Sequence, residues 1–293
     1  MPVRSKKIFS TKYGSAFRAD SLDFMKKNIK DESVDLIMTS PPFPLLTKKK
    51  YGNEDQDNYL KWICSFFDDF NRILKPSGSL VIDLGGSWIK GQPTRSLYQF
   101  ELVLKACKEY NFHLAQEFFW WNTAKLPSPA QWVNVKRVRV KDAVNYIWWL
   151  SKTENPKADN KNILWDYSDS MNKLFERGYN KGTRPSAHNI SEVFDNNNGG
   201  SIPPNFLAVP NTRVDKHYQD YCKNNNLEIH PARFPKEIPD FFISFLTDKG
   251  DLVYDPFGGS CVTGKSSEDK QREWICSEIN EEYLKGAKSR FID

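Results

Sequence analysis

The chain has 293 residues, of which 39% are hydrophobic and 14% aromatic, with 42 Lys and Arg against 37 Asp and Glu. This apolar content excludes a disordered chain, and the length suffices for one large α/β domain or for one domain with an insertion. The net charge of +5 is too small to identify a partner by itself.

Short apolar runs and few cysteines narrow the class of protein further. The longest apolar runs, such as Phe118–Trp121, are far shorter than the ~20 residues of a membrane span, and the first residues lack the apolar region of a signal peptide. We therefore expect a cytoplasmic protein without a membrane partner. The five cysteines include no CxxC pair and the four histidines no HExxH pattern, so neither a disulfide framework nor a metal site is predicted.

The first 150 residues alternate between predicted strands and helices. In chain order they are a strand at Val34–Met38, a helix with apolar residues at spacings of three and four from Leu60 to Leu74, a strand at Leu80–Leu84, a helix over 97–108, and aromatic strands at 112–121 and 143–150. The stretch Lys75-Pro-Ser-Gly78 is expected to separate the first helix from the strand after it.

The composition changes after residue 150 and returns near residue 229. Residues 151–228 are rich in Asn, Gly and Pro and predict a loop-rich insertion, whereas the remainder predicts helix 235–246, strand 251–255, helix 262–270, strand 273–278 and a final helix. This order predicts an α/β fold with a doubly wound sheet. We divide the chain into 1–150, 151–228 and 229–293.

Two loops that follow predicted strands contain the candidate chemistry. They are Thr39-Ser-Pro-Pro-Phe43 and Asp255-Pro-Phe-Gly-Gly-Ser260. In a doubly wound sheet the carboxyl ends of the strands form the ligand-binding edge, and Glu278 ends the next strand, where an acid binds ribose hydroxyls. Each motif alone is usually a turn or a solvated strand end, but together they favour an adenosyl cofactor. The lack of GxGxxG counts against a nicotinamide or flavin enzyme.

These two motifs resemble those of S-adenosylmethionine-dependent DNA amino-methyltransferases. The Ser-Pro-Pro-Phe motif precedes the Asp-Pro-Phe-Gly-Gly motif by about 215 residues, as in the beta group of that family, and the similarity is greatest to the PvuII-type cytosine-N4 modification methylases. Further matching stretches are Asp20-Ser-Leu, Tyr51-Gly-Asn, Asp83-Leu-Gly-Gly, Lys125-Leu-Pro-Ser-Pro, 139–144, Thr183-Arg-Pro-Ser, 199–205 and 230–235. The resemblance implies a Rossmann-like methyltransferase fold with a mixed sheet.

The same resemblance implies roles for the first loop in the methylation of a flipped base. The Ser40 side chain and the Pro41 carbonyl would accept hydrogen bonds from the exocyclic amine, and Pro41 and Pro42 would stiffen the loop. Phe43 would stack on the base, which contributes roughly 1–3 kcal/mol. Asp83 would help to order Ser40.

For the cofactor, S-adenosylmethionine, the resemblance implies a second set of residues. Glu278 would bind the ribose, Asp20 would lie near the adenine amino group, and Arg233 belongs to the motif before the cofactor strand. The methionine moiety would lie against Asp255, Pro256, Phe257, Gly258, Gly259 and Ser260.

Several alternatives stay open at this stage. Serine at position 40 favours cytosine N4, whereas related adenine-N6 enzymes usually have Asp or Asn there. Carbon-5 methylation needs a Pro-Cys pair, which this chain lacks. An alternative of another class is a non-catalytic nucleic-acid-binding protein that kept the fold.

The resemblance also implies partners, namely double-stranded DNA and a cognate restriction endonuclease of a restriction–modification system. Lys48–Lys50 and Lys136–Lys141 would either neutralise phosphates or form solvated surfaces. Region 151–228 is expected to recognise the target sequence, with Arg184, Asn189, Asn205 and Arg213 as candidate base readers.

Overall fold

The computed structural model describes residues 4–44, 56–178, 182–183, 185–186, 189–190, 196–212, 215–232 and 234–292. These residues form two compact units, Met1–Ala158 with Asn205–Asp293 and, separately, Asp159–Pro204. The strands of the larger unit are β1 (Lys6–Ser10), β2 (Gly14–Arg18), β3 (Val34–Thr39), β4 (Leu74–Leu84), β5 (His113–Trp121), β6 (Val144–Ser151), β9 (Phe206–Ala208), β10 (Leu252–Asp255) and β11 (Glu273–Glu278). Its helices are α1 (Ser21–Asn28), α2 (Gln56–Cys64), α3 (Phe67–Ile73), α4 (Tyr98–Glu109), α6 (Lys216–Asn224), α7 (Glu237–Leu246), α8 (Val262–Asp269) and α9 (Glu281–Ala287).

The nine strands of the larger unit form one mixed sheet in the order β1-β2-β11-β10-β3-β4-β6-β5-β9. Strands β2, β11, β10, β3 and β4 are mutually parallel, whereas β6 runs antiparallel to both β4 and β5. This arrangement confirms the predicted doubly wound α/β fold with a mixed sheet. Because β3 lies between β10 and β4, the two candidate loops and Asp83 come together at one edge of the sheet.

Two apolar clusters cover the two faces of this sheet. Strand β3 is buried along its whole length, and successive side chains from Leu36 to Met38 enter the two clusters in turn, after an irregularity between Val34 and Leu36. Val34 and Ile37 pack with α1 to α4, whereas Leu36 and Met38 pack against α7. Continuous burial explains why this strand reads as an apolar run rather than as an alternating pattern.

Three details of the fold differ from the sequence expectation. The N-terminal hairpin β1–β2 was not predicted, because its short strands contain few apolar residues. The predicted helix from Leu60 to Leu74 is divided at Ser65–Phe66 into α2 and α3. Strand β4 begins at Leu74, six residues earlier than expected. Its first part, Lys75–Gly78, is irregular, and carbonyl groups of this stretch accept hydrogen bonds from residues 152–157.

In the smaller unit, Asp159–Pro204, the described residues form little regular structure. It contains α5 (Asp169–Arg177), which Ser168 caps by accepting a hydrogen bond from the Met171 amide, and a two-stranded ribbon of β7 (Gly182–Thr183) and β8 (Asn189–Ile190). The predicted region 151–228 includes this unit, while residues 205–228 belong to the larger one. Its role in target recognition stays a prediction. Among the described residues of both units, no helix is long and apolar enough to cross a membrane.

Candidate active site

A cavity of about 690 Å³ opens at the carboxyl ends of the central strands. A volume of several hundred Å³ is typical of a small-molecule site. The predicted site residues that line it are Asp20, Ser40, Pro41, Pro42, Phe43, Asp83, Pro256, Phe257, Gly258, Gly259, Ser260 and Glu278. Asp255 does not line the cavity, and Arg233 lies outside the described residues.

Ser40, Asp83 and Asn145 form a hydrogen-bonded chain at one end of the cavity. The Ser40 hydroxyl donates to Asp83 Oδ2 at 3.0 Å, and the Asn145 side-chain amide donates to Asp83 Oδ1 at 3.0 Å. Each carboxylate oxygen therefore has one protein donor. Because a hydroxyl has a single hydrogen, the bond to Asp83 leaves the Ser40 lone pairs available as acceptors.

The carboxyl group of Asp83 is buried, with 1% of the residue exposed. Burial raises the pKa of Asp83 to about 6, while the hydrogen bonds from Asn145 and Ser40 and the charge of Lys125 act in the opposite direction. Asp83 is thus ionised at neutral pH, yet it titrates close to that range. Such a group suits proton transfer better than an ordinary carboxylate does.

The end of β3 also contacts the other neighbouring strand. Thr39, directly before Ser40, donates its hydroxyl to Asp255 Oδ1 at 2.7 Å, and Thr263 of α8 donates to Asp255 Oδ2 at 2.7 Å. The backbone amide of Phe257 adds a third bond at 3.0 Å. Asp255 therefore connects the strand of the first loop to the beginning of the second loop.

The far end of the cavity combines a carboxylate with exposed backbone. Glu278 Oε2 accepts a hydrogen bond from the Gly259 amide at 2.9 Å, and burial raises the pKa of this carboxyl group. Gly259 has φ +49°, and a Cβ atom there would lie 2.9 Å from His230 Nε2. Only glycine fits this position without strain. Asp20 caps α1 by accepting a bond from the Asp23 amide at 3.1 Å.

Aromatic rings line both parts of the cavity. The Phe43 ring lies against Gly85, where a Cβ atom would come within 2.5 Å of it. The Phe257 ring contacts Trp62 and Phe66, with centroids 5.5 and 5.1 Å apart. The site thus offers one aromatic surface near Ser40 and another at the second loop.

Several cavity-lining residues were not predicted as site residues. Asn145 had a detectable signal, because it is a polar residue within the apolar strand 143–150, and Lys125 lies in a stretch that matched the family. Trp62 and Phe66 belong to the apolar stripe of a helix, which does not distinguish a cavity wall from a core. The other unpredicted residues include Trp88, Trp120, Asn122, Ser128, Asp142 and Asn211.

The structure describes only some of the residues that were predicted to contact DNA. Lys48–Lys50, Arg184 and Arg213 lie outside the described residues, and the same holds for the Asn189 side chain. Asn205 donates to the Glu117 carbonyl at 2.9 Å and so joins β9 to β5. Lys136–Lys141 follows a short π-helical turn, Gln131–Val135, and most of it is exposed. Among the residues that the structure covers, no cluster could hold a metal ion.

A family model described as a DNA methylase matches residues 34–289, which is most of the chain. The chain belongs to this DNA methylase family. The methylase is 47% identical to the type II methyltransferase M.PvuII of Proteus hauseri, over 98% of this chain and 86% of that protein. It is also 24% identical to the DNA adenine methyltransferase YhdJ of Escherichia coli K12, over 94% of this chain and 82% of that protein.

Solved structures show the same fold. The methylase superposes on the PvuII DNA methyltransferase (cytosine-N4-specific) with a TM-score of 0.81 and 40% identity, covering 99% of this chain and 90% of that one. These findings confirm the family inferred from the two loop motifs. The two motifs lie at the edge of the sheet that lines the cavity of the methylase.

Proposed function

We propose that the methylase transfers a methyl group from S-adenosylmethionine to the N4 amino group of a cytosine flipped out of duplex DNA. The observation that carries this proposal is the orientation of the Ser40 hydroxyl. Its hydrogen is directed to Asp83, so its oxygen can only accept from a neighbouring group. An exocyclic amine, which has two hydrogens to donate, is a suitable partner.

The cavity fits the cofactor in volume and in its polar groups. Glu278 offers a carboxylate to a ribose diol, and Gly258 and Gly259 allow close approach of the backbone. Asp20 and Phe257 also line the cavity. S-adenosylmethionine would supply an electrophilic methyl group on a sulfonium. Asp255, which does not line the cavity, would position the second loop.

At the other end, the residues of the chain would bind the base and accept a proton. The Ser40 oxygen accepts a hydrogen bond from the amine, which draws its lone pair out of conjugation and towards the methyl donor. After transfer the nitrogen must lose a proton, and this proton passes through the Ser40 hydroxyl to Asp83 Oδ2. Phe43 stacks on the base and offsets part of the few kcal/mol that flipping costs.

Cytosine is favoured over adenine by serine at position 40 and by the similarity to a cytosine-N4-specific enzyme. Adenine N6 is the second candidate, because YhdJ, named as an adenine methyltransferase, shares the family. Incubation with labelled S-adenosylmethionine and unmethylated plasmid DNA, followed by mass spectrometry of the nucleosides, distinguishes the two. We expect N4-methylcytosine, and N6-methyladenine would overturn the base assignment.

Ser40→Ala provides the control for this experiment. We expect the variant to lose transfer and to keep cofactor affinity, measured by calorimetric titration. Loss of cofactor affinity would show that Ser40 does not act on the base. No labelled nucleoside on DNA with the wild-type chain would favour a binding protein without catalysis.

The similarity to a type II methyltransferase supports a role in a restriction–modification system with a cognate endonuclease. Methylated plasmid DNA should then resist an endonuclease that cuts the same site. Sensitivity of fully methylated plasmid to every endonuclease of a type II panel would oppose a protective role.

A further inference from the structure

The loop between β5 and β6 combines exposed apolar side chains with positive charge. Among the described residues, the five most exposed large apolar side chains include four from this loop, namely Leu126 at 79%, Val135 at 70%, Val138 at 61% and Val140 at 84%. Single exposed apolar residues are common, but a cluster of this kind indicates a binding surface. The loop, residues 122–143, includes five Lys and Arg against one acid, Asp142, which is paired with Arg139, so the surface suits a polyanion with apolar faces.

Leu126 occupies a particular place on this surface. Lys125 and Ser128, on either side of it in sequence, both line the cavity, whereas Leu126 is among the most exposed side chains of the molecule. It therefore lies at the rim of the cavity that would receive the base. A large apolar side chain at this position contacts water unless another molecule covers it.

Hydrogen bonds hold this rim in place. The Lys125 amide donates to the Asn122 carbonyl at 3.1 Å, and Lys141 Nζ donates to the Lys125 carbonyl at 2.9 Å. The Asp142 amide donates to the Ser128 carbonyl at 3.2 Å. Pro127 restricts the backbone further. The backbone around Leu126 is thus restricted, which lowers the entropy cost of inserting this side chain between bases.

We infer that Leu126 enters the DNA base stack beside the flipped cytosine and fills the space that the base leaves. Apolar side chains used as wedges between base steps partly unstack the duplex, and the bending and unstacking are offset by new contacts. Exposed Lys136 and Arg137, on the same loop, would contact the flanking phosphates. This inference rests on the proposed function, because it assumes a flipped base in the cavity.

The test compares two versions of one short duplex that carries the methylated site, mapped beforehand by sequencing of treated plasmid DNA. In one version the target base is paired, and in the other it faces an abasic position, so that no base pair has to be broken. The variant is Leu126→Ala, and the matched control is Leu104→Ala, an exposed leucine of α4. Both sites are exposed, so the thermal unfolding midpoints should match that of the wild type.

We expect Leu126→Ala to lower kcat/KM about tenfold on the paired duplex and less than about twofold on the abasic one. Leu104→Ala should change neither value. If the wild type is active and Leu126→Ala loses kcat/KM equally on both duplexes, or on neither, the proposed insertion of Leu126 into the base stack is wrong. If the wild type methylated neither duplex, the proposed function would fail and the wedge with it.

The charge of the surface gives a second measurement. Lys136→Ala should lower the slope of log affinity against log salt concentration by about 1, because one phosphate contact is lost. Lys27→Ala, on the exposed face of α1, is the control and should leave the slope unchanged. An unchanged slope for Lys136→Ala would contradict the placement of DNA on this loop.

Discussion

Asp83 and Asp255 make a close comparison within one active site. Each lies at the carboxyl end of a strand next to β3, each is buried, and burial raises the pKa of each to about 6. Consecutive residues at the end of β3 bind them, Thr39 to Asp255 and Ser40 to Asp83. The two carboxylates nevertheless differ in their access to the cavity.

Asp255 accepts three hydrogen bonds from Thr39, Thr263 and Phe257 and does not line the cavity. Asp83 accepts two and does line it. Similar burial and similar pKa values therefore accompany two different proposed roles: Asp255 holds loops together, whereas Asp83 accepts a proton. A raised pKa alone does not separate these roles, because desolvation acts on both groups.

The largest difference should appear in activity. Asp83→Asn keeps the size of the side chain but removes the proton acceptor, so we expect kcat to fall by roughly 10²- to 10⁴-fold. Cofactor affinity, measured by calorimetric titration, should stay unchanged because Asp83 lies at the end of the cavity that is proposed to bind the base. Full activity in this variant would mean that the proton leaves by another route.

The next difference should appear in stability. Asp255→Ala removes the acceptor of three buried donors, so we expect the free energy of unfolding to fall by roughly 2–4 kcal/mol. Asp83→Ala is the matched variant and should cost less, because water in the cavity can replace the lost acceptor. Urea unfolding without cofactor measures both, and equal losses would contradict the proposed division of roles.

The pH dependence of activity should report Asp83. The Asp83 carboxylate must be ionised to accept the proton, so kcat/KM should fall about tenfold per pH unit below its pKa of about 6. Lys125, Tyr59 and Tyr98 are the other titratable groups that interact with this carboxylate. A rate profile that is flat from pH 8 to pH 5 would exclude Asp83 as the proton acceptor.

Protonation of Asp83 and Asp255 should not unfold the protein, so unfolding at these two sites would not explain a loss of activity at low pH. Burial raises the pKa of both carboxyl groups above the unfolded value, so the folded state binds more protons than the unfolded state between about pH 4 and pH 6. Protonation of these groups in that window therefore favours the fold. Thermal unfolding at each pH separates the two effects.

The smallest expected effect concerns Asn145. Its amide stabilises the charged form of Asp83, so Asn145→Leu should raise the pKa of Asp83 and move the acid limb of the kcat/KM profile to higher pH. Asn205→Leu is the control, because the Asn205 amide binds a backbone carbonyl of β5 instead. Lower activity without a shift of the limb would give Asn145 only a structural role.

Much of the fold followed from local patterns. The buried strands Val34–Thr39 and Leu252–Asp255 are apolar runs that end in turn residues, and α4 has the spacing of an amphipathic helix. The hairpin β1–β2 was not predicted because its short strands contain few apolar residues, and β2 joins the sheet through β11, which is distant in sequence. The irregular start of β4 depends on hydrogen bonds with 152–157, which no local pattern encodes.

For the site, the sequence by itself determined the two loops, the family and the residues that enter the cavity from strand ends. These are short motifs whose residue types follow from local chemistry, such as glycine at the left-handed position 259. Only the tertiary structure decided the partners: Asn145 beside Asp83, Trp62 and Phe66 beside Phe257, and Asp255 facing inward. The physical reason is that hydrogen bonding and burial depend on which strands are neighbours, and β3 acquires β10 from more than 200 residues away.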